Sequence, residues 1–141
     1  MAFAPSLFLM TEGEHQHDVL LIEDDPTIRR MLREVLTARG CRVVVAADGE
    51  QAGTILSSDR PPCILFVDTM LPGVDIGDLT KQLRLRAVNE RVPVIALTAS
   101  RNAEGVRLLG AVDCLEKPFA FGDVLNMVAK HCARALRQRP S

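Results

Sequence analysis

The chain has 141 residues, 48% apolar and 25% charged, and its 17 basic and 18 acidic groups leave a formal net charge of −1. A chain of this size buries about two thirds of its unfolded surface, enough for one domain with its own core and no need of disulfides or structural zinc. The balanced charge argues against nucleic acid as a partner, because a phosphate-tracking surface shows as a strongly basic domain. The apolar start MAFAPSLFLM is too short to span a bilayer and lacks the basic leading segment of an export signal, so no membrane partner is expected. Cys41, Cys63, Cys114 and Cys132 form no CxxC pair and have no histidine cluster beside them. They are expected as reduced, mostly buried thiols of a cytoplasmic protein.

Residues 1–17 join the apolar start to the polar TEGEHQH with no shared period, and a disordered N-terminal tail is expected there, with His15 and His17 solvated. A regular alternation begins at Asp18. Val19 to Ile22 is a continuous apolar run, the form of a parallel strand buried on both faces. It ends in Glu23, Asp24, Asp25 and Pro26. Ile28, Met31, Leu32, Val35 and Leu36 then fall at offsets 0, 3, 4, 7 and 8, one stripe of a helix that Gly40 stops. Cys41 to Ala46 reads as the second strand and about Glu50 to Ser57 as the second helix. The third strand, Cys63 to Val67, runs into Asp68, and the turn TMLPGVDIG leads to a helix from about Asp78 to Val88. Val92 to Leu97 is the fourth strand, closing on Thr98, Ala99 and Ser100. A short helix follows over roughly Arg101 to Leu109, ended by Gly110. The fifth strand, Val112 to Glu116, meets Lys117, Pro118 and Phe119. The last helix aligns Phe121, Val124, Leu125, Val128, Cys132 and Leu136. Alternation of strands and helices predicts an α/β fold, a parallel sheet covered on both faces.

Open α/β sheets bind ligands beyond the carboxyl ends of their strands. There the sequence sets Asp24 and Asp25 after the first strand, Asp68 after the third, Thr98 after the fourth and Lys117 after the fifth. Carboxylates converging on one crevice repel each other unless a cation neutralises them. Hard oxygen donors without His or Cys favour Mg²⁺, with Mn²⁺ as the alternative. Mg²⁺ commonly shares its coordination with a phosphate, and an aspartate beside it can attack phosphorus without a general base. Asp68 is the candidate nucleophile, with Lys117 and Thr98 to receive the phosphoryl oxygens.

Taken together, LIEDDP, FVDTMLPG, IALTAS and LEKPF resemble the receiver domain of two-component response regulators over about residues 18–139. The resemblance implies a flavodoxin-like three-layer sandwich with sheet order 2-1-3-4-5 and five helices, the fourth one shortened. It implies a single-domain regulator in which Asp68 accepts phosphate from a sensor histidine kinase or a histidine phosphotransfer protein and then signals to a downstream protein. In that role the domain is a stoichiometric acceptor and not an enzyme with turnover. By the same resemblance Asp25 and Asp68 ligate Mg²⁺ directly, Asp24 acts through a metal-bound water, and the backbone carbonyl of Met70 completes the set. Thr98, the amide of Ala99 and Lys117 receive the phosphoryl group, and the Lys117–Pro118 bond is cis.

The sequence departs from the family pattern in several places. Cys114 stands where many receivers carry an aromatic switch residue, and packing is expected of it ahead of a redox role. Thr98 to Lys117 spans only 19 positions, about three fewer than usual, which predicts an irregular fourth helix. Ile76 replaces the glycine of the PGxDG turn. Met70 and Ser100 offer no group to orient water, so slow self-dephosphorylation is expected. Lys130, Arg134 and Arg137 form a basic stripe, read first as a solvated face. The competing readings are a receiver-like module that binds partners without phosphorylation and a Mg²⁺-dependent phosphatase with an aspartate nucleophile. The latter usually begins a DxD motif with that aspartate, and Asp68-Thr69-Met70 lacks the second acid.

Overall fold

The computed structural model describes residues 18–56, 62–70, 81, 92–99, 106–107 and 109–132. Five strands form one parallel sheet: β1 (Asp18–Ile22), β2 (Arg42–Ala46), β3 (Ile64–Asp68), β4 (Val94–Thr98) and β5 (Asp113–Glu116), in spatial order β2-β1-β3-β4-β5. The expected order 2-1-3-4-5 is therefore observed. Described helices are α1 (Pro26–Ala38), α2 (Gly49–Leu56) and α3 (Phe121–Met127), which continues as a π-helical turn over Val128–Cys132. The expected tail over 1–17, the end of the last helix past residue 132, and Ile76, Ser100, Arg134 and Arg137 lie outside the described residues. So do the predicted helix 78–88, apart from helical Lys81, and most of 101–109, where Val106, Arg107 and Leu109 are helical.

The continuous apolar runs form strands because both faces of β1, β3 and β4 are covered. Leu20, Ile22, Leu65, Val67, Val94 and Ala96 pack to one side, with Ala52 and the half-buried Ile55 of α2 and with Leu109. Val19, Leu21, Ile64, Phe66, Ile95 and Leu97 pack to the other, against Leu32 and Leu36 of α1 and Val124, Val128 and Cys132 of the last helix. Successive strand residues point to opposite faces, so each run feeds two cores at once. At roughly 1.5–3 kcal/mol per fully buried aliphatic side chain, these interior strands carry most of the driving force for folding. The edge strand β5 alternates partly and fully exposed residues around a single buried one, Leu115. Val112, expected to start it, is 58% exposed and precedes it.

Turns fix how the strand ends face the rim. Asp25 is the N-cap of α1: its Oδ1 accepts from Thr27 N at 2.9 Å and Ile28 N at 3.3 Å, and Pro26 opens the helix. Gly40 (φ 88°) and Gly110 (φ 68°) take the left-handed conformation that ends a helix, as expected of both. After Gly40, Cys41 N donates to Leu36 O at 3.1 Å and turns the chain into β2.

All four cysteines are free, three of them buried. Burial, with the neighbouring Cys63 thiol adding to it, pushes Cys41 up to about 11. Cys114 departs from the expectation that it packs: it is exposed, on the edge strand β5.

Candidate functional site

The carboxyl ends of β1, β3, β4 and β5 meet at one rim, and most of the residues picked out by the sequence lie there. Asp68 ends β3 and is 4% exposed; Thr98 ends β4 and is 1% exposed. Ala99 follows Thr98 and is exposed. Lys117 follows β5, and its backbone N donates to Thr98 O at 2.7 Å, which ties the fifth strand's exit to the fourth. The Lys117–Pro118 bond is cis, as expected. Burial works against the Lys117 ammonium, but Glu23 and Asp68 outweigh it and hold its pKa above the ordinary lysine value.

Asp68 is oriented from two sides. Its Oδ1 accepts from the backbone N of Met70 at 2.9 Å, and its Oδ2 lies 3.4 Å from Lys117 Nζ. Thr69 locks the following turn, its amide donating to Leu97 O at 3.0 Å. The contact the structure draws between Met70 and Asp68 is thus made by the amide, while the Met70 side chain is 64% exposed.

The acidic set differs from expectation by one residue. Glu23, Asp24 and Asp68 each offer an oxygen within 4.8 Å of the other two. Asp25, expected as a direct metal ligand, lies outside this group of three: it is exposed and its Oδ1 caps α1. The reason is local: with Pro26 as the first helical residue, the residue before it must cap the bare amides of the first turn. Glu23 takes its place at the rim and is fully buried. Its Oε2 accepts from Asp25 N at 3.0 Å, and its Oε1 lies 2.8 Å from Lys117 Nζ. Burial pushes the Glu23 carboxyl up to about 7 and the Asp68 charge adds to it, against the lowering pull of Lys117 and the Asp25 amide. Arg29 holds the turn from outside, its Nη1 reaching Glu23 O at 3.3 Å and Asp24 O at 3.2 Å. The signal for Glu23 was present in the sequence: three acids follow a strand, and the one before a proline reads as a cap.

These donors suit a hard divalent cation. Glu23 and Asp68 face the Lys117 ammonium, and Asp24 adds a third acidic oxygen beside them. Oε1 of Glu23 is a buried carboxylate oxygen with no well-directed hydrogen bond, the ammonium at 2.8 Å being an ionic neighbour. Beside the rim, Ile28, Met31, Leu32, Pro118, Phe119 and Phe121 line an apolar cleft with Lys117 at its wall, a feature no motif announced.

Residues 19–129 match the family model of the response regulator receiver domain. The response regulator MprA of Mycolicibacterium vanbaalenii is 35% identical over 111 residues, covering 76% of this chain and 46% of that protein. MprA of Mycobacterium avium is 36% identical over the same share of this chain and 47% of its own length. The chain therefore spans about half the length of these curated relatives, and the expectation of no nucleic-acid partner gains no support from them. Among solved structures, the receiver domain of the Pseudomonas aeruginosa sensor histidine kinase PA1611, with magnesium coordinated in its active-site cleft, superposes with a TM-score of 0.75 at 29% identity, over 84% of this chain and 99% of that one. The chemotaxis response regulator CheY4 of Vibrio cholerae superposes with a TM-score of 0.73 at 25% identity, over 82% and 98%. Among the described residues, no helix is long and apolar enough to cross a membrane.

Proposed function

The chain belongs to the response regulator receiver domain family of two-component signalling, and from that premise we propose that Asp68 accepts a phosphoryl group, with Mg²⁺ as cofactor, from a phosphohistidine of a sensor kinase or phosphotransfer protein. The observation that carries this reading is the convergence of Glu23, Asp24 and Asp68 on one rim with Lys117 bridging two of them. An oxygen of Asp68 forms the new bond to phosphorus as the P–N bond to the donor imidazole breaks; the electron pair leaves with the imidazole, and the product is an aspartyl phosphate. Met70 N holds Asp68 Oδ1 in place for attack. Lys117, the Thr98 hydroxyl and the Ala99 amide serve the phosphoryl oxygens. Glu23, Asp24 and Asp68 would hold the ion, with the Met70 carbonyl as a further ligand. When bound, Mg²⁺ offsets the charge that gathers on the transferring oxygens.

Acceptance is stoichiometric in this reading, and the signal passes on by protein contact. The cytoplasm, where free thiols persist, is the compartment we assign it. The test is labelling of the chain by acetyl phosphate with and without Mg²⁺. One equivalent per chain, dependent on Mg²⁺ and lost in Asp68→Asn, is the expected result. Sustained turnover of phosphate esters would favour a phosphatase, and a folded protein that takes no label would favour a phosphorylation-independent binding module.

A further inference from the structure

The apolar cleft beside the rim has no part in the chemistry above. Ile28, Met31 and Leu32 of α1 line it together with Lys117, Pro118 and Phe119 of the β5 exit and Phe121 of α3. Its volume is about 130 Å³. An apolar cavity of roughly 150 Å³ takes up a benzene ring, so this cleft has the size of one phenyl side chain. Met31 and Phe121 stand 39% and 44% exposed there, apolar surface left without a cover among the described residues.

The chain carries a segment that matches. Leu7-Phe8-Leu9-Met10 lies outside the described residues, is apolar throughout, and is joined to β1 by residues 11–17. Asp18 opens β1 at the amino end of the sheet, whereas the cleft flanks the carboxyl rim. Five strand residues rise about 16 Å, and seven extended residues reach at most about 25 Å. That is enough to run back along the sheet and step out to the helix layer. On this path the linker carries Glu12 and Glu14 past α1, which bears Arg29, Arg30 and Arg33 against one acid, Glu34. Arg30 and Arg33 are exposed.

We infer that the cleft is the docking site of the chain's own segment Leu7–Met10, with the Phe8 ring seated in it and Glu12 and Glu14 set against the arginines of α1. Removing the ring, Met31 and Phe121 from water supplies the attraction, and the opposite charges along the linker guide the approach. A segment on so short a tether meets its site at an effective concentration on the order of millimolar, so modest affinity fills the cleft. The N-terminal tail is then held at its apolar end. Seated there, it lies beside Lys117 at the edge of the rim, and a partner protein that uses this face has first to displace it. The inference does not depend on the metal.

The experiment is NMR of the full chain, read at the methyl groups of Ile28, Met31 and Leu32. Contacts between the Phe8 ring protons and the Met31 methyl are expected, and Phe8→Ala should shift these three methyl signals while that of Ile64, in the core, stays in place. Glu12→Lys combined with Glu14→Lys should move the three signals part of the way to their Phe8→Ala positions. If Phe8→Ala leaves them where they are and no contact with Met31 is seen, the docking is overturned. A mixture of isotope-labelled and unlabelled chains identifies whose segment is seated: contacts within one chain support the inference, and contacts only between chains overturn it in favour of a second copy.

Discussion

Two carboxylate–lysine clusters sit at opposite ends of the exposure scale in this molecule, and they solve the same electrostatic problem in opposite ways. At the rim, two of three clustered acids, Glu23 and Asp68, share Lys117, and Glu23 within that cluster is fully buried. On β5 the proportion is reversed: Asp113 alone faces Lys130 at 3.5 Å and the buried His131 at 3.4 Å. Burial raises the Asp113 pKa, but the Cys114 amide, His131 and Lys130 outweigh it and hold the carboxyl below the usual aspartate value. An anion with partners to spare is a clamp, here joining β5 to the last helix. Buried anions in excess of their partners are an invitation to a further cation.

The sharpest way to break this contrast is at Glu23. Glu23→Ala should weaken Mg²⁺ binding by at least about tenfold, measured by calorimetric titration, since even residues that only support metal ligands cost that much. The paired control is its neighbour. Asp25→Ala should cost about 1 kcal/mol in urea unfolding through loss of the α1 cap, with Mg²⁺ affinity unchanged. A tenfold loss of Mg²⁺ affinity in Asp25→Ala, with Glu23→Ala unaffected, would return the ligand role to the residue the sequence first suggested.

That exchange of neighbours shows where sequence reasoning ran out. The interior strands were legible because their apolar runs serve two cores at once, and Asp68, Thr98 and Lys117 were legible because strand ends are where such sheets keep their chemistry. Glu23 was missed because the paired aspartates drew the eye, although Pro26 already marked Asp25 as a cap. Edge strand β5 was harder. With only one face well covered it lacks a continuous run, so its start was set at Val112, one residue early and in the open. The contact between His131 and Asp113 had no signal at all: the residues lie 18 apart, and the π-helical turn that carries His131 breaks the regular period.

The smallest expected effect tests the other half of the contrast. A carboxyl whose folded pKa is depressed adds stability that is fully present above its unfolded value, near 3.9, and is lost as pH falls through the folded value. Asp113→Asn should therefore cost about 0.5 kcal/mol at pH 7, modest because the Lys130 side chain is 57% exposed and solvent screens the pair. The difference from wild type in urea unfolding should shrink below about pH 4 and in about 1 M salt. Asparagine keeps an oxygen that can accept from the Cys114 amide, so a loss that persisted unchanged at low pH would trace to packing rather than charge. The clamp would then owe nothing to the charge of Lys130, and only the buried rim would remain as a site where charge balance decides what the protein binds.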